Sequence, residues 1–163
     1  MSDTRKKTIK KGRSAKAVKK KRAQGKTDKK KVDERNARNK IEKKARRISD
    51  KDVRELIDKE EEIGKKLSRV PGGMEKLVNR LRLLYEMTRD YWKGNYKEIP
   101  WYSIAMAVAA LLYFLNPFDI IMDIVPGIGY VDDVLVIGLV FKSINEDLRK
   151  YCSVKGYDPE MYF

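Results

Sequence analysis

Apolar residues recur at helical spacing along two successive stretches of the chain. The first stretch opens with Ser49 and Asp52 at the spacing of a capping box, and Val70-Pro71-Gly72-Gly73 ends it. Its apolar positions fall on one side of a single predicted helix and are Val53, Leu56, Ile57, Ile63 and Leu67. The second stretch has an amphipathic stripe of Leu77, Leu81, Leu84, Tyr85 and Thr88, and it stops at Gly94.

A wholly uncharged run follows, from Ile99 to Leu115. As a helix, its 17 residues reach about 26 Å, just short of the ~30 Å hydrocarbon layer of a bilayer. The pattern favours a helix inserted in lipid, and a central buried helix is the alternative. Aromatic residues mixed with Lys93 and Lys97 precede the run. Such a mixture is typical of an interfacial belt or, alternatively, of aromatic packing at a corner between helices.

A second apolar segment, Ile120 to Phe141, contains three acids. Each acid costs about 2.5–3.5 kcal/mol near a bilayer centre, and the apolar residues recover only about half of the total. A straight span is therefore excluded. The sequence predicts a break at Pro126-Gly127-Ile128-Gly129 and then one helix from about Val131 to Tyr151.

The connection between these two helices is rich in aspartate, with acids at Asp119, Asp123, Asp132 and Asp133. Three of the four have a capping explanation. Asn116 caps a helix with Pro117 at its first position and Asp119 at its third, and Asp132 and Asp133 open the last helix. Capping does not explain Asp123, which lies one turn after Asp119 and on the same face of the helix.

Two carboxylates at that spacing repel each other unless a positive group lies between them. The acids therefore have three further interpretations. They bind a hard divalent cation, they relay protons, or they pair with Arg80, Arg82 or Arg89. Capping together with internal pairing is the interpretation that the spacing favours.

The charge of the chain is divided unevenly. Residues 1–48 contain 22 basic and five acidic residues, a net charge of +17, and the remainder has a net charge of −3. We expect residues 1–31 to be disordered, and residues 32–48 to be partly helical without a clear apolar face. Such a tail suits an anionic lipid surface or nucleic acid, and a merely solubilising tail is the plain alternative.

Histidine is absent from the sequence, and Cys152 is the single cysteine. These two facts exclude histidine-dependent catalytic triads, Cys/His zinc sites and internal disulfides. No cofactor is predicted, apart from the divalent cation that the aspartates suit.

The stretch LLYFLNPFDIIMDIVPGIGYVDD closely resembles the signature of the YkvA-like family, a domain of unknown function. The matching residues are Tyr113, Asn116, Pro117, Asp119, Asp123, Pro126, Gly129, Asp132 and Asp133. The likeness covers about Met74 to Tyr151, and Met122 replaces the proline that the family usually has before its second aspartate. The resemblance implies a small helical membrane-associated protein, often predicted to cross the bilayer more than once, and it implies no established activity.

Together these patterns predict an all-α protein. Its parts are a basic tail (1–48), an amphipathic helix with a linker (49–73), a membrane-associated helical domain (74–151) and a short C-terminal tail (152–163). The helical domain contains a predicted hairpin, whose arms Ile99–Leu115 and Val131–Phe141 are joined by the aspartate-rich connection. We expect a non-enzymatic membrane protein, hairpin or multi-pass, with cytoplasmic termini and anionic lipid as partner. The rivals are a nucleic-acid-binding protein that uses residues 1–48 and a divalent-metal-dependent enzyme that uses the aspartates.

Overall fold

The computed structural model describes residues 34–116 and 129–163, with residues 129–133 described in their backbone alone. The chain divides after Asn36, and the contacts below belong to the unit Ala37–Phe163. Every regular element in the described residues is a helix, which confirms the all-α prediction. The helices are α1 (34–45), α2 (Asp50–Asp58), α3 (Glu60–Leu67), α4 (Glu75–Lys93), α5 (Trp101–Leu115), α6 (Gly129–Ser143), α7 (Asn145–Lys155) and a 3-10 turn (Pro159–Met161).

The uncharged helix α5 lies at the centre of this unit. It contacts α2, α3, α4 and α6, and every side chain from Ser103 to Leu111 is buried. Of the two alternatives for Ile99–Leu115, the structure therefore shows the second, a central buried helix, because other helices of the protein surround α5. The two arms of the predicted hairpin, α5 and α6, do contact each other. Within the described ranges, no helix has both the length and the apolarity to cross a bilayer.

The first amphipathic stretch forms two helices where one was predicted. Asp52 accepts hydrogen bonds from the Ser49 backbone nitrogen (2.8 Å) and from Ser49 Oγ (2.6 Å), so the capping box is confirmed. The chain then breaks at Lys59, between α2 and α3. Three acids, Glu60–Glu62, occupy the first turn of α3, where their charges stabilise a new helix N-terminus.

The last predicted helix is also divided. Helix α6 ends at Ser143, Ile144 leaves helical geometry, and α7 begins at Asn145 with Glu146 and Asp147 in its first turn. Helix α6 starts at Gly129, three residues before Asp132. The two acids predicted to open this helix therefore stand at its fourth and fifth positions.

Helix α4 confirms the predicted stripe and its end. The five stripe residues are all buried, and Gly94 closes the helix with a φ of +81°, a left-handed conformation that glycine adopts without strain. A second set of buried positions, Leu83, Met87 and Asp90, lies on the other side of the helix. Because α4 packs against α2, α5 and α6, it buries apolar side chains on both of its faces.

Helix α1 has the apolar face that the sequence did not make clear. Ala37, Ile41 and Ala45 are buried at intervals of four residues, and Ile48 follows them into the core. Two of these residues are alanines, whose weak hydrophobicity hides the stripe among so many charges. The end of the basic segment therefore packs on the helical body.

Candidate functional site

Five aromatic residues cluster where α4 ends and α5 begins: Tyr91, Trp92, Tyr96, Trp101 and Tyr102. We call this cluster the aromatic corner. Its two last members are exposed, with Trp101 39% and Tyr102 46% accessible, although the rest of α5 is almost wholly buried. The start of the apolar helix therefore presents two large aromatic side chains at the surface.

The other members of the aromatic corner are half-buried, and each is held by a ring or a cation. Tyr91 packs against Trp101 with their ring centroids 6.2 Å apart, and Tyr96 packs against Tyr151 at 5.4 Å. Lys97 Nζ lies 4.1 Å from the centroid of the Tyr91 ring, and the Arg54 guanidinium lies 5.6 Å from that of Trp92. Part of the cluster therefore packs at a corner between helices, as one of the two interpretations predicted, and part faces outwards; a position at a membrane interface stays a prediction.

A buried carboxylate joins α4 to α7. Asp90 is 5% exposed and accepts hydrogen bonds from Tyr151 Oη (2.7 Å) and Lys155 Nζ (3.0 Å), with Asn95 Nδ2 at 3.5 Å. Burial by itself would raise the pKa of Asp90, but these donors together lower that pKa below its ordinary value. Burial, and then the bond to Asp90, raise the pKa of the Tyr151 phenol.

A second carboxylate–phenol pair lies close to this one. Tyr157 Oη donates to Glu86 Oε2 at 3.0 Å, and burial followed by that hydrogen bond raises the pKa of Tyr157 to about 12. Both pairs tie the C-terminal part of the chain to α4. Both phenols are therefore protonated donors at neutral pH, and the arrangement is suited to holding helices together.

Lys66 of α3 reaches the C-terminal end of α5. Its Nζ donates to the Phe114 carbonyl and to the Leu115 carbonyl (3.0 Å), and it lies 4.9 Å from the centroid of the Phe114 ring. These carbonyls belong to the last turn of α5, where a helix lacks backbone donors and carries partial negative charge. A cation therefore stands where the aspartate-rich connection begins.

The three arginines proposed as partners of the aspartates have different surroundings. Arg80 Nε donates to the Tyr162 carbonyl (2.8 Å), and its guanidinium lies 4.9 Å from the Phe141 ring centroid. Arg89 pairs with Glu60 (3.2 Å). Arg82 is exposed. Pairing with Asp119 or Asp123 stays a prediction, because both acids lie outside the described residues.

Comparison with known proteins gives two matches. Residues 103–139 match a family described as "Protein of unknown function (DUF1232)". A 77-residue stretch, 47% of this chain, is 32% identical to a Bacillus subtilis (strain 168) protein named "Uncharacterized membrane protein YkvA", and covers 73% of that protein. The chain belongs to the YkvA-like family. No solved structure matches it.

The YkvA-like signature is only partly described. Tyr113 is buried in α5, Asn116 is the exposed residue that follows that helix, and Gly129 is the first residue of α6. Asp132 and Asp133 lie in α6 by their backbone. Pro117, Asp119, Asp123 and Pro126 lie outside the described residues, so convergence of the four acids is untested. The part of the chain with described side chains contains no group of three acids or cysteines suited to a metal ion.

Sequence reasoning missed the buried Asp90 network, which lies outside the YkvA-like signature. A signal for it was present. Leu83, Met87 and Asp90 follow one another at helical spacing, so Asp90 occupies the end of a second apolar stripe on α4. An acid at a buried position needs donors, and Tyr151 and Lys155, one turn apart on α7, supply them.

Proposed function

We propose that this protein is a non-catalytic, membrane-associated helical protein that meets the bilayer surface at its aromatic corner. The observation that carries the proposal is the exposure of Trp101 and Tyr102 at the end of an otherwise buried apolar helix. Tryptophan and tyrosine combine an apolar ring with a polar group, which suits the boundary between head groups and acyl chains.

Cations beside the aromatic corner support the same proposal. Lys93 and Lys97 are exposed, and Lys97 lies over the Tyr91 ring. Lysine side chains near a bilayer extend their charge to the head groups, and each cation contributes about 1 kcal/mol at an anionic surface. The basic residues 1–48 would add to this attraction.

Family membership also supports a membrane location. The Bacillus subtilis relative is named a membrane protein, and the aligned stretch is about half of the present chain. Because α5 is enclosed by α2, α3, α4 and α6, the proposal places attachment at the outer end of this helix and not along its length.

The aspartate-rich connection has a structural role in this proposal. Lys66 binds the C-terminal end of α5, from which the connection starts. In this proposal the aspartates cap the N-termini of the neighbouring helices. A cation or a protein partner bound by these carboxylates is the competing proposal. Binding of Ca²⁺, Mg²⁺ or Mn²⁺ that is lost on Asp119→Asn with Asp123→Asn would favour the cation.

The emission of Trp101 tests the proposed contact with lipid. The chain has two tryptophans, so Trp92→Phe leaves Trp101 as the single indole fluorophore. We expect vesicles that contain phosphatidylserine to shift its emission to shorter wavelength, and brominated lipids to quench it, because the indole enters the interface.

The matched control is Trp101→Phe, which leaves Trp92 beside the Arg54 guanidinium. Its emission should respond much less, since Trp92 is only half-exposed and its ring is already covered by a cation. The proposal fails if Trp101 emission and quenching are the same with and without vesicles.

A further inference from the structure

We propose that the surface between α4, α6 and α7 is a docking site for an acidic peptide that carries an aromatic side chain. In this structure the chain's own residues 158–163 occupy that site, as a strap that a second peptide can displace. The docking groove is lined by Asn79 and Arg80 of α4, Phe141 of α6 and Arg149 of α7. This surface is not part of the aromatic corner, so the proposal does not depend on contact with lipid.

The chain turns back along α4 after α7 ends. Gly156 makes the turn with a φ of +69°, a left-handed conformation that glycine adopts without strain. Tyr157 Oη then donates to Glu86 Oε2 at 3.0 Å. Arg80 precedes Glu86 on α4, and its Nε donates to the Tyr162 carbonyl at 2.8 Å. The strap therefore follows α4 towards the N-terminal end of that helix.

Two main-chain carbonyls of the strap are bound by side chains of α4. Asn79 Nδ2 donates to the Met161 carbonyl at 3.4 Å, next to the bond between Arg80 and the Tyr162 carbonyl. Every peptide carries such carbonyls. These two hydrogen bonds therefore fit any peptide that presents successive carbonyls at this position.

An aromatic pocket at the end of the groove supplies the selectivity. The Phe163 ring packs against the Phe141 ring, with centroids 5.7 Å apart, and the Arg149 guanidinium lies 4.2 Å from its own centroid. Arg80 lies 4.9 Å from the Phe141 centroid. Rings and guanidinium groups both attract a further aromatic ring. The occupant must therefore supply an aromatic side chain at the position of Phe163.

The charges of the groove and the strap are complementary. Two of the four groove residues are arginines, whereas the strap contains two acids, Asp158 and Glu160, and no cation. Both acids are exposed, so they add an attraction that salt weakens. An acidic peptide therefore fits the groove better than a basic one.

The strap is held more loosely than the helix before it. Cys152 of α7 is wholly buried, and no later residue is buried. The aromatic side chains of the strap are half-buried, and Met161 is 53% exposed. Segments with few buried contacts open locally while the rest of a protein stays folded. Opening of the strap uncovers Phe141, which is 3% exposed while the strap is in place.

Binding of a labelled peptide to the full-length chain tests the proposal. The probe is a synthetic peptide of residues 156–163, GYDPEMYF, with a fluorophore at its amino end, and its anisotropy reports binding. Wild type should bind it weakly, since the chain's own strap competes at a high effective concentration. Phe163→Ala weakens the strap and leaves the groove intact. We expect this variant to bind about tenfold more tightly, because its groove is open for a larger fraction of the time.

Matched variants separate the strap from the groove. Met161→Ala changes an exposed side chain of the same strap and should bind the peptide like the wild type. Arg149→Gln added to Phe163→Ala removes the cation over the aromatic pocket and should reverse most of the gain. Lys150→Gln in its place changes an exposed neighbour of equal charge and should not reverse it. A peptide that itself carries Phe163→Ala should not bind.

Hydrogen exchange of the wild-type chain tests the same point without a variant. We expect the backbone amides of residues 157–163 to exchange about tenfold faster than those of α7, because the strap opens without unfolding that helix. Excess peptide should make the strap amides exchange faster still, since it takes the place of the strap in the groove.

Three results would overturn the proposal. The first is equal peptide affinity for wild type, Met161→Ala and Phe163→Ala, or no binding by any of them. The second is exchange of the strap amides as slow as that of α7, which would make the strap a fixed part of the fold. The third is a peptide that binds equally well with and without its phenylalanine. Each of these results leaves the proposed contact of the aromatic corner with lipid in place.

Discussion

At the scale of single residues, Asp90 is the one charged side chain that is buried in the part of the chain that the structure describes. A carboxylate that is 5% exposed is tolerated only when donors replace the water it has lost. Tyr151 and Lys155 supply that replacement from α7, and Asn95 supplies it from the turn after α4. The network is therefore a specific link between two helices that are distant in sequence.

Replacing Tyr151 by phenylalanine tests this link. The ring and its packing stay, and the 2.7 Å hydrogen bond to the buried carboxylate is lost. We expect Tyr151→Phe to lower the free energy of unfolding by about 1–3 kcal/mol, measured by urea denaturation at pH 6. Tyr102→Phe is the control, and it should have almost no effect because its hydroxyl is exposed.

The difference in the free energy of unfolding between wild type and Tyr151→Phe should also depend on pH. The pKa of Asp90 is lower in the folded chain than in the unfolded chain, where it is about 3.9. Its stabilisation is therefore fully present above about pH 4 and is lost as the pH falls through the lower folded-state pKa. We expect the difference in stability between wild type and Tyr151→Phe to shrink below about pH 4. A difference that stays constant down to about pH 3 would contradict a charged Asp90 as the acceptor.

At the scale of helices, the C-terminal end of α5 depends on a side chain from another helix. Lys66 of α3 donates to the carbonyls of Phe114 and Leu115, which have no backbone donors of their own within the helix. This contact fixes the point at which the YkvA-like connection leaves the core. It also places a cation at this helix end, within reach of its partial negative charge.

Lys66→Met should destabilise the protein by about 1–2 kcal/mol, because methionine keeps apolar contact with Phe114 and loses both donors. The neighbouring Lys65→Met is the control. Lys65 forms an exposed pair with Glu61 (2.6 Å), and such surface pairs contribute little. Thermal or urea unfolding measures both variants. Equal effects would show that the position of Lys66 at α5 is not what stabilises the fold.

The helices themselves were predictable in part. The stripe of α4, the Ser49 capping box and the stop at Gly94 follow from periodicity and local hydrogen bonding. The breaks between helices at Lys59 and Ile144 were not predicted from the sequence, because the apolar pattern continues through both positions. Acids clustered after each break carried the missing signal, since they stabilise a helix N-terminus.

At the scale of the molecule, the uncharged run Ile99–Leu115 was ambiguous because lipid and a protein core are equally apolar. Periodicity cannot separate the two surroundings, and here four helices supply the protein core around α5. The aromatic corner was recognisable by composition. Which of its residues project was not, because that depends on how Tyr151, Lys97 and Arg54 cover the others.

The measurement that tests the central claim most directly is co-sedimentation of the full-length protein with phosphatidylserine-containing vesicles. We expect the wild type to bind, and Trp101→Ala with Tyr102→Ala to lose most of that binding because the aromatic anchors are gone. The control, Val154→Ala with Met161→Ala, removes exposed apolar side chains outside the aromatic corner and should bind like the wild type. Wild type that stays in the supernatant, or the same loss in both variants, would contradict the account.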